Sequence, residues 1–200
     1  MRQHSPACER NRDPILAVLQ RVLPARGTVL EIAAGTGQHA AYFSDRLPAL
    51  TWQPTAPSAE ALASIDAWRE DSRGDQRPAL RLDVRDPDWP VTRADAVYCA
   101  NMIHIAPWEA CEGLLRGAAR ALPEGGVLVL YGPFKRGGAH TAESNARFEE
   151  WLKAKDPAYG VRDLEAVIAL AAAHGLALRE VVEMPANNLA VVLARGSTRG

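Results

Sequence analysis

The sequence predicts an α/β fold: a doubly wound, mostly parallel sheet that ends in an antiparallel hairpin. Three observations predict it. Apolar strand-like runs alternate with helix-compatible segments, the pattern of βαβ units. One run, Val127 to Tyr131, is apolar throughout, as expected of a strand covered on both faces. The last two strand-like runs, Leu176–Met184 and Leu189–Ala194, are separated only by Pro185-Ala186-Asn187-Asn188. A parallel crossover needs about a dozen residues or more, so these two must pair antiparallel.

The elements follow in order. Asp13 is a good N-cap, and Pro14 suits a first helical turn, where its missing N–H costs nothing. Ile15, Val18, Leu19 and Val22 then recur at helical spacing, so a helix within residues 9–23 precedes the first strand. Thr28 to Ile32 is that strand. A small-residue turn follows, and Gln38 to Arg46 is helix-compatible. Leu50–Thr55 reads as the second strand, and Ser58 caps a helix running to about Glu70. Ala79–Val84 and Ala94–Ala100 are the third and fourth strands. Pro107 opens a helix that ends near Leu122, and Glu124-Gly125-Gly126 turns the chain into the fifth strand. Asn145–Lys155 and Arg162–His174 are two further helices before the final hairpin.

Composition narrows the function classes. With 200 residues, 48% of them hydrophobic, the chain suits one domain over residues 1–200 with a substantial core. A net charge of −1, with arginines interleaved among acids, gives no electrostatic footprint for nucleic acid. Cys8, Cys99 and Cys111 are odd in number and have no paired spacing, which argues against a disulfide framework or a zinc site, and no metal site is expected. Cys99 lies in an apolar run, where packing is its expected role. Met1–Asp13 is polar and unlike a secretory signal, and no stretch approaches the roughly 20 apolar residues that span a bilayer. A cytoplasmic protein, monomer or homodimer, without membrane attachment is expected.

The densest functional signal is Thr28-Val29-Leu30-Glu31-Ile32-Ala33-Ala34-Gly35-Thr36-Gly37-Gln38-His39. An apolar strand ends in an acid, and a side-chain-poor turn leads directly into a helix. Gly35 and Gly37 accept positive φ and have no Cβ to hold the backbone away from a ligand. The order Glu-x-Ala-x-Gly-x-Gly resembles the cofactor loop of class I S-adenosylmethionine (SAM) methyltransferases. Two other readings stand beside it. Gly35-Thr36-Gly37-Gln38-His39-Ala40 fits the Gly-x-Gly-x-x-Gly/Ala dinucleotide pattern, but the acid that an NAD site wants at the end of the second strand is absent around Thr51–Thr55. The turn can also serve chain reversal alone. The terminal hairpin separates the first two readings, since a dinucleotide fold continues parallel.

Further motifs narrow the likeness. They are Glu9-Arg10-Asn11-Arg12-Asp13-Pro14-Ile15-Leu16, Trp52-Gln53-Pro54-Thr55, Leu82-Asp83-Val84, Asn101-Met102-Ile103-His104-Ile105-Ala106-Pro107, Tyr131-Gly132-Pro133-Phe134, Tyr159-Gly160-Val161-Arg162-Asp163 and Met184-Pro185-Ala186-Asn187-Asn188. With the glycine loop they resemble the methyltransferase-like 26 family, small SAM-methyltransferase-like proteins once classed as a domain of unknown function. The likeness runs from about residue 9 to 194. It implies a Rossmann-like class I methyltransferase sandwich with a seven-stranded sheet, and a SAM site yielding S-adenosylhomocysteine (SAH). It supplies no substrate. One departure stands out: the family usually follows Trp-Gln-Pro-Ser with Asp, whose carboxylate suits the cofactor ribose, whereas this chain has Ala56. A charged hydrogen bond is worth roughly 1.5–3 kcal/mol, so its loss weakens binding by about 10- to 100-fold. Glu60, one helical turn on, is a substitute, or a first-turn acid that favours the helix dipole.

The resemblance gives each site residue an expected role. Glu31 orients the loop or meets the amino end of SAM. Ala33, Gly35 and Gly37 let the backbone approach the methionine and ribose. Asp83 sits beside the adenine amino group, with Val84 contributing backbone. Asn101 and Met102 face the sulfonium. Asn11 and Arg12, on the N-terminal helix as a lid, reach the SAM carboxylate. His104, in the loop at a strand's carboxyl end, is placed for a general base near neutral pH, alternatively a backbone-bonded histidine. His39 packs or caps at the loop–helix junction. Tyr131, the second catalytic candidate, lines with Asn145, Arg162, Asn187 and Asn188 a pocket for a small polar acceptor, the segment 140–175 forming a helical insertion near it. Asn187-Asn188 equally suits hairpin-turn chemistry. The function expected is SAM-dependent methyl transfer to a small molecule. The alternatives are a methyltransferase-like binding or scaffold module with weak SAM affinity, and an NAD-dependent oxidoreductase.

Overall fold

The N-terminal helix α1 spans Pro6–Val22, eight residues longer toward the N-terminus than the Asp13–Pro14 signal predicts. Ser5 occupies the N-cap position with Pro6 in the first turn, so Asp13 is not the cap and Pro14 lies inside the helix. An interior proline loses one ladder bond and costs about 3 kcal/mol. Tertiary contacts on both sides of Pro14 hold α1 through it. Ile15, Val18, Leu19 and Val22 pack on the sheet, and upstream residues bond to the loop and helices described below.

This computed structural model describes residues 1–197. After α1 come β1 (Gly27–Ile32), α2 (Gln38–Arg46), β2 (Leu50–Ala56), α3 (Ala59–Arg69), β3 (Leu80–Arg81), β4 (Ala96–Ala100), α4 (Trp108–Ala121) and β5 (Val127–Gly132). A small hairpin of β6 (Lys135–Arg136) and β7 (Ala139–His140) follows, then α5 (Glu143–Lys155), α6 (Leu164–Ala173), β8 (Leu176–Met184) and β9 (Asn188–Arg195). The main sheet has seven strands in the order β3-β2-β1-β4-β5-β9-β8. All pairings are parallel except β5–β9 and β8–β9, as the short final turn requires. Several elements lie as the sequence predicts: α2 has the expected bounds, and Ser58 caps α3 by accepting from the Ala61 amide at 3.2 Å.

Other boundaries differ, β3 and α6 among them. β3 is two residues rather than six, because Pro78 offers no N–H and the chain turns at Asp83, whose carbonyl accepts from the Asp86 amide. α6 starts at Leu164, since Asp163 caps it through the Ala166 amide and leaves Arg162 in the loop. The β6–β7 hairpin and the 3₁₀ turn Met102–His104 have no hydrophobic period and are absent from the sequence reading.

Strand alternation divides the core. Leu30, Ile32, Val97, Cys99, Leu128 and Leu130 face α4 and α6, while Val29, Ala96, Tyr98, Val127 and Val129 face α1 and α2. α6 is therefore part of a covering layer, and of the segment 140–175 only α5 with the small hairpin stands outside it. Cys99 and Cys111 are buried free thiols. No helix among the described residues is long and apolar enough to cross a membrane. The strand order reverses between β1 and β4, and open α/β sheets bind ligands at the carboxyl ends of strands at such a point.

Candidate functional site

The turn after β1 sits at this reversal. Ala33, Gly35 and Gly37 all have positive φ, +52°, +56° and +90°. For alanine this is a costly conformation, about 1–3 kcal/mol, and such strain gathers at ligand sites. Hydrogen bonds from the Ala34 amide to the Thr55 carbonyl (2.8 Å) and from the Gly37 amide to the Ala34 carbonyl (3.0 Å) hold the turn. The two glycines differ in purpose. A Cβ at Gly35 would meet nothing nearer than 4.0 Å, so that backbone is open to a ligand. A Cβ at Gly37 would lie 2.6 Å from the Ile65 Cα, so Gly37 admits α3 against the loop, and its missing side chain is not on the ligand side.

Beside the turn opens a cavity of about 480 Å³, lined by Ala33, Asp83, Val84, Ala100, Met102 and Tyr159 among others. It joins the ends of β1 and β4 to the segment after β3. Met102 and the segment Ile105-Ala106-Pro107 form an apolar wall, and Asp156 and Tyr159 close it from the loop between α5 and α6. Asp83 accepts from the Arg85 amide and guanidinium at 3.0, 3.0 and 2.6 Å, and this pairing holds its carboxyl below the usual range. Two of these bonds load Oδ1, so Oδ2 keeps acceptor capacity.

Glu31 is buried, 2% exposed, on the α1–α2 face. The Trp52 indole donates to its Oε2 at 2.6 Å, while burial raises its pKa to about 7. Ala56, at the end of β2, is 1% exposed and packs with Ala34 and Ile65 rather than facing the cavity. Glu60 is exposed and accepts from the Gln3 carboxamide at 2.6 Å. Gln3 and Ser5 strap the chain start across this region. The Gln3 amide donates to Ser64 Oγ, Ser64 Oγ donates to the Thr36 carbonyl, and the Ser5 amide donates to Gln38 Oε1. The structure thus joins Glu60 to the N-terminus.

α1 lies over the loop. His39 links Asn11 Oδ1 (2.8 Å) to the Tyr98 hydroxyl (3.3 Å) and stacks on Phe43, and burial lowers its pKa to about 4. The Asn11 carboxamide also stands by the Tyr131 hydroxyl. Arg12 lies 4.5 Å over the Tyr42 ring, its Nε buried and without a partner among the described residues.

At the end of β4, Asn101 has φ +60°. Its amide donates to the Tyr131 carbonyl (2.7 Å) and its carbonyl accepts from the His104 amide (3.0 Å). His104 is fully enclosed: its ring meets Phe134 edge-on at 4.9 Å, and Nδ1 accepts from the Arg162 amide at 3.2 Å. Burial, with the nearby Arg162 guanidinium, lowers its pKa to about 3. The structure thus runs against the general-base expectation for His104: the ring is enclosed, lies outside the cavity lining, and burial lowers its pKa.

The four residues expected to bind an acceptor are spent on the fold. Arg162 donates to the Ile103, Ala106 and Ala158 carbonyls at 2.8, 2.6 and 2.8 Å, pinning the loop after β4. The Asn145 amide donates to the Asn187 carbonyl (3.0 Å), Asn187 to Ser144 Oγ (3.1 Å), and Asn188 to the Pro185 carbonyl (3.1 Å). Asn145 and Asn187 dock α5 onto the β8–β9 turn, where Ala186 and Asn187 have positive φ. Sequence reasoning missed Trp52 as the partner of Glu31, Arg85 as the partner of Asp83, and Tyr159 as a cavity wall. Trp52 was legible: it lies two residues before Pro54, which the parallel register sets beside Glu31.

A family model described as a protein of unknown function (DUF938) matches residues 2–195. Among solved structures, the chain resembles the SAH-bound methyltransferase CalO1 of calicheamicin biosynthesis, with TM-score 0.74 and 21% identity over 92% of this chain and 54% of that one. An O-methyltransferase family protein from Burkholderia thailandensis gives TM-score 0.76 and 21% identity, covering 94% of this chain and 57% of that one. An O-methyltransferase family 2 protein from Planctomyces limnophilus, solved with apigenin, gives TM-score 0.74 and 17% identity, covering 92% and 61%. The chain thus spans between 54% and 61% of the length of these three, and at such identities the likeness establishes the Rossmann-like methyltransferase fold.

Proposed function

The chain belongs to the DUF938 family, and we propose that it is a SAM-dependent methyltransferase acting on a small molecule. The observation that carries this reading is the strained Ala33–Gly35 turn opening onto a cavity of about 480 Å³ at the β1–β4 reversal, with Glu31 beneath it and Asp83 beyond it. The motif likeness to the methyltransferase-like 26 family and the fold of the solved methyltransferases support the same cofactor.

The residues present fit SAM. Arg12 has a buried Nε without a partner, suited to a carboxylate, and Glu31 is a buried carboxyl without a cation, suited to the amino group. Gly35 leaves room for the backbone to approach the ligand, and Asp83 Oδ2 retains acceptor capacity for the adenine amine. When bound, SAM supplies an already activated methyl group. The chain's part is then alignment and exclusion of water. Asn11 on α1 fixes the Tyr131 hydroxyl and closes over the loop. Met102 and Ile105 keep the wall apolar, and Tyr159 covers the cavity from the α5–α6 side. Tyr131 is the remaining titratable group at the carboxyl edge of β5, and burial raises its pKa, so it serves as a hydrogen-bond donor rather than a base at neutral pH.

Calorimetric titration with SAM and SAH tests the cofactor, and incubation with labelled SAM and a small-molecule extract tests transfer. Absence of heat and of any thermal shift at millimolar SAM would count against the reading. A second reading, a methyltransferase-like binding module with weak SAM affinity, is favoured by one observation: Ala56 is sealed from the cavity and Glu60 is tied to Gln3, so neither offers a ribose carboxylate. SAH binding without transfer of label would support it. The absence of an acid at the end of β2 weighs equally against an NAD-dependent oxidoreductase.

A further inference from the structure

We infer that His104 is a positioning residue: its Nε2–H is the donor poised for the side-chain oxygen of Asn101 and so sets the orientation of the Asn101 carboxamide at the end of β4. The role of that carboxamide toward a ligand rests on the methyltransferase reading; the arrangement itself does not.

The tautomer follows from one hydrogen bond. The backbone N–H of Arg162 donates to His104 Nδ1 at 3.2 Å, so Nδ1 carries no proton. A neutral imidazole with an accepting Nδ1 presents N–H at Nε2. Protonating Nδ1 would break this bond and set a cation beside the Arg162 guanidinium in a site closed to water, so the ring stays neutral. His104 is thereby a donor.

That donor has no partner among the described residues, although it is fully buried. An unmet buried donor costs about 1–3 kcal/mol and calls for an explanation. The nearest candidate is visible at Gly132, the last residue of β5. A Cβ there would lie 2.7 Å from His104 Nε2 and 3.0 Å from Asn101 Oδ1. Donor and acceptor bear on the same point, and a residue without a side chain leaves that point open to them. The Asn101 backbone is already fixed at both ends, by the Tyr131 carbonyl and the His104 amide. Rotation about its carboxamide torsions brings Oδ1 to Nε2. Oδ1 is then held by Nε2–H, and the NH2 group takes the opposite side of the carboxamide at the end of β4. A fixed donor there meets an oxygen of a bound ligand. Without His104 Nε2–H, the amide can flip and present oxygen instead.

The test has three arms on the whole chain. First, nitrogen-15 histidine NMR, with His104 assigned through H104Q, is expected to show the proton on Nε2 unchanged from pH 8 to pH 5. A proton on Nδ1, or titration within that range, would overturn the inference. Second, the Asn101 carboxamide resonances should move in H104N, which drops the distal donor, and stay in place in H104Q, whose amide nitrogen reaches the Nε2 position. Equal movement in both variants, or none in H104N, would overturn it. Third, SAH affinity should fall about 5-fold in H104N and in N101A, no further in the double variant, and be kept in H104Q. Additive losses would overturn the coupling. A wild-type chain that binds no SAH would sink the methyltransferase reading instead, and the first two arms would still decide this one.

Discussion

The Trp52 indole donates to the Glu31 carboxyl at 2.6 Å across the β1–β2 pair, the one side-chain bond among the described residues to a buried acid whose pKa burial raises to about 7. Burial thus holds the Glu31 carboxyl above the usual carboxylate range, with only the indole bond favouring its charge.

Glu31→Gln is therefore expected to stabilise the ligand-free protein and weaken SAM binding together. A folded-state pKa raised from 4.5 to about 7 means that the native state binds the extra proton. Glu31 thus contributes stability that is full below about pH 4.5 and is lost as pH rises to about 7. His39 and His104, both lowered, act in the opposite sense below pH 6.5, so the quantity to measure is the difference between variant and wild type. Urea unfolding should show E31Q gaining on the wild type from pH 4.5 to pH 7, by about 2–3 kcal/mol at pH 8. A difference independent of pH would refute the assignment.

Gly35→Ala and Gly37→Ala should separate binding from folding. At Gly37 an alanine meets the Ile65 Cα at 2.6 Å in addition to an unfavourable φ, so a loss of about 3 kcal/mol or more is expected. At Gly35 only the backbone penalty applies, about 1 kcal/mol, while SAH affinity falls by at least 10-fold because the Cβ occupies the ligand's approach. Thermal unfolding and calorimetry read the two effects. Unchanged affinity in G35A would move the ligand elsewhere.

Arg162→Ala should act on stability rather than on acceptor recognition. Three loop carbonyls lose their donor, and a cost of about 2–4 kcal/mol is expected. Amide exchange should rise first in residues 103–106. A fully stable R162A protein with only impaired turnover would restore the substrate-binding role.

Ala56→Asp tests whether the family's usual carboxylate has a place here. The side chain would enter the contact between Ala34 and Ile65 without a partner, so stability should drop by about 2 kcal/mol or more with no gain in SAH affinity. Tighter SAH binding in A56D would show that the β2 end faces the ribose after all.

The sequence alone determined the sheet and its pairing sense. Helical and strand periods are local, and the three residues between β8 and β9 leave no geometric choice but an antiparallel pair. It also determined where the tight turn at the β1 end lies, because Ala33-Ala34-Gly35-Thr36-Gly37 has little side-chain bulk immediately after a strand-ending acid. Tertiary structure decided how each polar side chain is spent. That Gly37 serves Ile65, that Arg162 serves three carbonyls, that Asn187 and Asn188 serve a turn, and that His104 is sealed as a neutral donor all depend on atoms distant in sequence. Hydrogen-bond capacity is a property of a residue, but its partner, and hence its pKa and availability, is set by packing.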